Sequence, residues 1–438
     1  MGPWLDSITG WLTANPQWLG LAIVIVACLE CLAIVGSIVP GTVTLFAIAV
    51  LAGSGALPLG ETLLLGFIGG FLGDVISYTL GRRFHQNIRR LPGLRSHPQW
   101  ISGAEGYFQR YGIASLLVGR FIGPLRPMLP MIAGMCDMPL PRFIGVSLIA
   151  GAGWSVVYLL PGWATGAAIR LPLPEGFWSQ ASVVALGLVA LIGLCIHCSV
   201  KRHPRTTLLI SGLSLALLIG LFIGYPHLKA FDQGLMALVQ EHRDQALDVA
   251  AVIATRLGDF RIQFIVAGVL TALLFLARQW RQGLFFGATL AVTALGNTAA
   301  KYFFARIRPE VLAEPITSFS MPSGHSSGSF AFFLMLAVLA GREQPPRMRM
   351  TWLLLGCLPA LVVASSRVYL GAHWPTDVLA GALLAIAVLA ASLSLSQRFM
   401  PLPAMPPRAW WLILPAAVAI YGFHALWHLQ HEIGRYAY

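Results

Sequence analysis

The chain has 438 residues, of which 57% are hydrophobic and only 11% charged; with roughly 25% charged residues expected of a soluble globular domain, a soluble enzyme is excluded as the main architecture. A transmembrane β-barrel is excluded too, because its strands alternate apolar and polar residues, whereas runs such as LAIVIVACLECLAIVGSIV at 21–39 are continuous. The net charge of +12, from 29 Lys and Arg against 17 Asp and Glu, falls in breaks between apolar runs, which fits the basic cytoplasmic loops of a membrane protein and excludes nucleic acid as a partner. The fold class is therefore all-α and polytopic, with room for about ten or twelve spans of roughly 20 residues.

No Lys or Arg precedes Arg82, so the basic start of a signal peptide is missing and no cleavage is expected. Two apolar segments are broken by proline and glycine, SIVPGTVT at 37–44 and RFIGPLRPMLP at 120–130. Each leads into a common pattern. AGxxxxPL occurs at Ala52 to Leu59 and again at Ala133 to Leu140, and GxxxxY at Gly73 to Tyr78 and again at Gly153 to Tyr158. Such echoes predict a duplicated unit, and broken segments at matching places of two repeats mark a transport site near the membrane midplane. Glu30, Arg120 and Arg126 lie in or beside these segments, where an unpaired charge is costly, so they are expected to pair or to bind a charged head group. The pairs Cys28/Cys31 and Cys195/Cys198 sit in apolar runs and read as small core residues rather than a redox or zinc site.

Residues of about 20–200 resemble the DedA family, also called the VTT or SNARE-associated Golgi protein family. The resemblance rests on Glu30 ahead of the break at 39–41, GDVISYTLGRRF at 73–84, FQRYG at 108–112 and GRFIGPLRPMLPMIAG at 119–134. It implies two re-entrant hairpins facing each other and translocation of lipids, undecaprenyl phosphate among them, with Glu30, Arg120 and Arg126 at the head-group site. One place departs from the family pattern: Thr42 stands where bacterial members often carry an acidic residue, so that any transport is either uncoupled from protons or uses Asp74 instead.

A domain boundary is expected at the basic break KRHPR, 201–205. Beyond it apolar segments fall near 206–224, 260–277, 283–300, 322–340, 351–365, 378–396 and 409–429, and basic clusters recur at every second gap, around Lys201, Arg278, Arg342 and Arg398. By the positive-inside rule those gaps are cytoplasmic. The alternate gaps, 225–259, 301–321 and 366–377, then face the other side.

Three polar clusters interrupt this half: Lys301 with Arg308 and Pro309, then Pro322 to His325, then Ser366, Arg367, His373 and Asp377. Each alone is a weak signal. Together they hold what phosphoryl transfer needs: three cations and helix N-terminal amides at Ser323 and Gly324 to surround a phosphate, two histidines to divide nucleophile and acid roles, and a carboxylate to fix a tautomer. Asp377 follows His373 by four residues, one turn if helical, although Pro375 predicts that the helix begins about there.

In order and spacing the clusters resemble the signature of the type 2 phosphatidic acid phosphatase (PAP2) superfamily, K-x6-RP, PSGH and SR-x5-H-x3-D. The resemblance covers about residues 206–396. It implies that His373 attacks phosphorus, oriented by Asp377, that His325 protonates the leaving oxygen, and that Lys301, Arg308, Ser323, Gly324 and Arg367 hold the phosphate, with no cofactor and no metal. A membrane phosphatase of this kind is expected to hydrolyse undecaprenyl diphosphate on the extracytoplasmic face of a bacterial inner membrane and to hand the monophosphate to the DedA-type half. The alternatives are a phosphatidic acid or phosphatidylglycerol phosphate phosphatase with a non-transporting first half, and a lipid transporter whose second half only binds phosphate. The expected domains are 1–200 DedA-like with two re-entrant hairpins, 201–400 a six-helix PAP2-type bundle, and 401–438 an extra C-terminal helix after the linker MPLPAMPPR at 400–408. His424, His428 and His431 have metal-ligand spacing, but beside Trp427 and Tyr436 they read as an interfacial belt.

Overall fold

The computed structural model describes residues 3–33, 35–38, 41–88, 106, 116, 120, 126–170, 173–200, 205–241, 243–312, 316–427 and 429–436. Among them every regular element is helical. The chain divides into two compact units, Met1–Pro172 and Leu173–Tyr438.

In the first unit α1 (Pro3–Ala14) and α2 (Leu19–Cys31) precede one short turn, α3 (Val35–Ile38), and α4 (Gly41–Leu51), which continues through a π-turn at Ala52–Ala56. Then come the long helix α5 (Leu59–Ile88), α6 (Met128–Met135) and α7 (Leu140–Arg170). The apolar helices ending at Cys31 and Ala56 are each shorter than a full span and pack on each other, as a first re-entrant hairpin requires. A helix broken in an apolar medium leaves backbone groups in need of partners. Ser77 of α5 supplies them: its hydroxyl accepts from the Ala33 N–H at 3.0 Å and donates to the Cys31 carbonyl at 3.1 Å. Of the second hairpin, Leu116, Arg120, Arg126, Pro127 and the α6 arm fall among the described residues; FQRYG lies outside them.

The duplication is visible in reciprocal contacts. Gly53 lies against the Trp163 carbonyl of α7, where a Cβ would come within 1.9 Å, and Gly134 lies against the Tyr78 carbonyl of α5, where it would come within 2.1 Å. Trp163 Nε1 donates to the Leu57 carbonyl at 3.0 Å, and the Tyr78 hydroxyl donates to that of Met138 at 2.5 Å. Each repeat thus closes its short arm on the other's long helix. The structural counterpart of Tyr78 is Trp163, more than a turn beyond the Tyr158 that the GxxxxY echo pairs with it, because the contacts fix the register and the motif does not.

The second unit comprises α8 (Phe177–Val200), α9 (Thr206–Gly224), α10 (Lys229–Glu241), α11 (Gln245–Arg256), α12 (Phe260–Leu276), α13 (Trp280–Phe304), α14 (Gly324–Ala340), α15 (Pro346–Tyr369), α16 (Pro375–Phe399), α17 (Pro407–Leu426) and α18 (Leu429–Arg435). Its start corrects the expected boundary after residue 200. Helix α8 belongs here because the Gln180 side chain accepts the Phe231 N–H at 2.9 Å and Phe177 stacks on Phe231. Eight helices among the described residues are long and apolar enough to cross a membrane, nine if α11 and α12, bent by 44°, act as one span. Among the described residues, proline and glycine breaks also leave shorter apolar helices at Pro16–Cys31 and Gly41–Ala56.

Helix α14 is the centre of this bundle. It is buried on most of its faces, packing on α12, α13, α15 and α16, while Phe332 and Phe333 meet Tyr421 of α17. The two ends of the bundle differ. At one, Gln282 donates to the Pro403 carbonyl at 3.1 Å and Arg342 to that of Leu402 at 2.9 Å, fixing the proline-rich linker. At the other, α10, α11, α18 and the described residues of 305–323 gather about the start of α14, so described parts of the gaps at 225–259, 301–321 and 366–377 share one end.

Candidate active site

The site is assembled at the N-terminus of α14. Ser323 caps the helix, its hydroxyl accepting from the Ser326 N–H at 3.4 Å, and its own N–H donates to the Asp377 carbonyl at 2.9 Å. This places the free amides of the first turn, including Gly324, where an anion is stabilised. Helix α16 can come this close only at glycine, since a Cβ on Gly381 would lie 2.5 Å from the Ser323 carbonyl. Asn297 of α13 braces the same turn, donating to Ser327 Oγ at 3.0 Å.

His373 is delivered by the end of α15. Gly371 takes φ +68, the left-handed conformation that closes a helix, and Ala372 and His373 both return N–H bonds to the Arg367 carbonyl, at 3.0 and 3.2 Å. The histidine, 1% exposed, thereby comes under Arg308, whose Nη1 lies 2.9 Å from His373 Nε2. A guanidinium can only donate, so Nε2 is the unprotonated, acceptor nitrogen and Nδ1 carries the proton. Nδ1 faces Asp377 Oδ2 at 3.6 Å and Ser320 Oγ at 3.4 Å. Burial, reinforced by Arg308, Arg367 and Lys301, holds the His373 pKa well below the usual histidine range, so the ring is neutral near pH 7.

Helix α16 begins at Pro375, as expected, which leaves His373 outside it and Asp377 at its third position, accepting the Trp374 N–H at 2.9 Å. Asp377 also accepts from Ser320 Oγ and, on Oδ1, from Arg306 Nη1 at 2.7 Å. Arg306 was not among the expected site residues. Its Nη2 pairs with Asp232 of α10 at 2.6 Å, and Asp232 in turn accepts the Thr376 N–H at 2.9 Å. The available signal was ARIR at 305–308: residues two apart on an extended segment face the same side.

The remaining cations converge. Lys301 Nζ donates to the Phe319 carbonyl, and Arg308 Nε donates to that of Ser318 at 2.6 Å. Burial, with Arg367 adding to it, pulls the Arg308 pKa down to about 10. Arg367, 2% exposed, gives Nη1 to Thr255 Oγ1 at 2.7 Å and to the Tyr436 hydroxyl at 2.9 Å, while its Nε is buried without a partner. His325, in the first turn of α14, packs beside Gly258 and is close enough to act electrostatically on His373.

From this turn an apolar groove of about 410 Å³ leads away between α12 and α13. It starts at Asn297, Gly324 and Ser327 and runs past Phe264, Gly268, Ala291 and Phe275.

The first unit holds a second cluster. Arg126 pairs with Glu30 at 2.5 Å and Arg120 pairs with Asp74, all four groups buried. Both guanidiniums lie on Trp154, 5.2 and 5.4 Å from its ring. The Thr42 hydroxyl donates to Glu30 at 2.5 Å. The adjoining cavity, lined by Asp74, Arg120, Arg126 and Ser147, measures about 10 Å³, the room of one water. Cys28 and Cys31 are free thiols there. Among the described residues no group of three or more His, Cys, Asp or Glu is placed to hold a metal; His424 lies 3.7 Å from Asp259, and His428 lies outside the described residues.

Comparison with known proteins agrees with this division. The family model of the VTT domain matches residues 39–164 and that of the PAP2 superfamily residues 282–401. The chain is 40% identical over 161 residues to the inner membrane protein YabI of Escherichia coli, a match covering 37% of this chain and 63% of YabI. It is 30% identical over 158 residues to the E. coli inner membrane protein YqjA, covering 35% of this chain and 71% of YqjA. An uncharacterized membrane protein of Buchnera aphidicola from Baizongia pistaciae is 32% identical over 214 residues, covering 48% and 83%. Among solved structures, a transmembrane PAP2-type phosphatidylglycerolphosphate phosphatase from Bacillus subtilis superposes with a TM-score of 0.39 at 22% identity, over 43% of this chain and 98% of that one. The chain belongs to the VTT (DedA) membrane proteins and joins to that domain a PAP2 superfamily domain.

Proposed function

We propose that the second unit is a lipid phosphatase that works through a phosphohistidine on His373. The observation that carries this is the orientation of the imidazole: Nε2, which bears the lone pair, points at Arg308, and Nδ1 points at Asp377 and Ser320. A phosphoryl group entering between Arg308, Lys301, Arg367 and the amides of α14 would meet that lone pair. Nε2 bonds to phosphorus as the bond to the lipid oxygen breaks, and His325 gives that oxygen its proton. The cations stabilise the charge on the transferring group. Asp377 stabilises the ring as it becomes cationic, and its own charge is balanced by Arg306. Water then attacks phosphorus, giving a proton to His325 and releasing inorganic phosphate and free His373.

The apolar groove that starts at Gly324 supports a lipid as substrate, since it offers a hydrocarbon chain a path from the phosphate site into the helix bundle. We read the substrate as a polyprenyl diphosphate, undecaprenyl diphosphate in the first place, cleaved at the extracytoplasmic face of an inner membrane. The positive-inside argument supports that face. The first unit, with its buried pairs Glu30–Arg126 and Asp74–Arg120, would return the monophosphate across the membrane, and fusion raises the local concentration of that product at the second site.

The test is phosphate release in detergent with excess chelator, from undecaprenyl diphosphate, phosphatidic acid and phosphatidylglycerol phosphate. Faster release from the diphosphate supports carrier recycling. Faster release from a glycerophospholipid selects phospholipid turnover, and no release from any of the three overturns the phosphatase reading.

A further inference from the structure

The PAP2 match ends at residue 401, yet the chain beyond it returns to the active site. Helix α17 runs from the linker end of the bundle to the catalytic end. There Arg256 holds its last turn, donating to the His424 carbonyl at 2.5 Å and to that of Trp427 at 2.5 Å. Helix α18 then lays Leu429 and Ile433 on an apolar cluster with Val252, Leu370 and Ala372. Two of those residues belong to the loop that carries His373. Tyr436 follows, 8% exposed, its carbonyl accepting from Arg243 at 3.1 Å and its hydroxyl accepting from Arg367 Nη1 at 2.9 Å. The Arg367 guanidinium also lies over the Tyr436 ring, 5.6 Å from its centre.

We infer that Tyr436 is a positioning residue of the phosphate site: with Thr255 it clamps one corner of Arg367, so that the opposite edge of the guanidinium is presented to the phosphoryl oxygens. The geometry of arginine gives the reason. Its Nε and Nη2 share one edge and match two oxygens of a phosphate, while Nη1 lies at the far corner. Here Nη1 is the atom engaged by Thr255 and Tyr436, and Nε is buried with no partner in the protein. A buried donor without an acceptor is costly, and an anion on that edge satisfies it. Left unclamped, a long side chain would sample other rotamers and lose part of the entropy advantage of a fixed fork. The C-terminal segment, outside the family match, therefore completes the phosphate site in cis. This inference rests on the phosphatase reading for Arg367, and the experiment separates the two.

Inorganic phosphate affinity of the full-length protein is measured calorimetrically for the wild type, Tyr436→Phe, Arg367→Lys and the double variant, with melting temperature and phosphate release followed in parallel. Tyr436→Phe keeps the ring and the apolar packing and removes only the hydroxyl. The expected result is an affinity for phosphate about tenfold weaker, a matching rise in KM with a smaller change in kcat, an unchanged melting temperature, and no further loss when the change is added to Arg367→Lys. Wild-type affinity in Tyr436→Phe, or full additivity in the double variant, would overturn the clamp. A wild type that binds phosphate through Arg367 and Tyr436 but releases none from lipids would overturn the phosphatase reading and leave the clamp standing.

Discussion

Arg306 stands between two carboxylates, 2.7 Å from Asp377 Oδ1 and 2.6 Å from Asp232 Oδ2. This ties α10 to the start of α16 and fixes the Asp377 carboxylate behind His373. Removing one member of a buried ion pair leaves the other uncompensated, at a cost of about 3–5 kcal/mol. Arg306→Met should therefore lower stability by that order in denaturation of the detergent-solubilised protein, and should reduce kcat at least tenfold. Asp232→Asn, which leaves the Arg306–Asp377 pair in place, should lose less of both.

The pH profile reports the state of His373. Burial and the neighbouring cations disfavour the imidazolium, so the pKa lies below the ordinary value and the nucleophile stays neutral down to acidic pH. The acid limb of kcat/KM attributable to this group should fall below about 6.5, the free-histidine value. Arg308→Gln removes one of the opposing charges, so the limb should move to higher pH even as the overall rate drops. The substrate's own ionisation is common to both enzymes, which makes the displacement the informative quantity. A limb that stays put would deny the coupling between Arg308 and His373.

The groove makes a separate prediction about chain length. Gly268 lines it, and a Cβ added there meets nothing within 4 Å, so Gly268→Leu should fold normally while filling the path. KM for a long-chain polyprenyl diphosphate should rise about tenfold, the loss of roughly 1–2 kcal/mol of apolar burial, and turnover of a short, water-soluble phosphate ester should be unchanged. Equal effects on both substrates would show that the hydrocarbon lies elsewhere.

Close packing at the helix N-terminus gives a fourth. In Gly381→Ala the new methyl would fall 2.5 Å from the Ser323 carbonyl, so α16 must shift away from the start of α14. Overpacking of this sort costs about 1–3 kcal/mol. Activity should drop more than stability accounts for, because the Ser323 N–H bond to the Asp377 carbonyl and the position of Asp377 are disturbed together.

For the first unit, transport is assayed with the phosphatase silenced by His373→Ala, as movement of labelled polyprenyl phosphate across proteoliposomes. Glu30→Gln leaves the buried Arg126 without its counter-charge, and Arg126→Met leaves Glu30 so. Either should abolish movement while phosphate release in the otherwise unaltered protein persists. Movement at the original rate in both variants would assign the pair to structure alone.

Much of this was legible in the sequence because the chemistry is concentrated in short polar interruptions of apolar runs. Lys301, Arg308, Ser323, Gly324, His325, Arg367, His373 and Asp377 stand in the sequence as polar interruptions of apolar runs, with their individual roles implied only by the resemblance, and the all-α class follows from continuous apolar stretches. What escaped was carried by residues distant in sequence. Asp232 lies in a gap that reads only as a loop, and its role exists because Arg306, 74 positions on, folds back to it. Tyr436 looked interfacial, since nothing local reveals that α17 returns the chain to Arg367. The domain boundary was misplaced for a related reason: the strongest basic break follows α8, whereas packing on Phe231 decides where α8 belongs.

On the proposed route phosphorus passes through His373. The most direct measurement is to mix the protein with undecaprenyl diphosphate labelled on its terminal phosphate, quench in alkali, where a phosphohistidine survives, and locate the label by mass spectrometry. An acid-labile phosphoryl group is expected on His373 and is absent from His373→Ala. Phosphate release with no label on His373, or release that continues in His373→Ala, would contradict it.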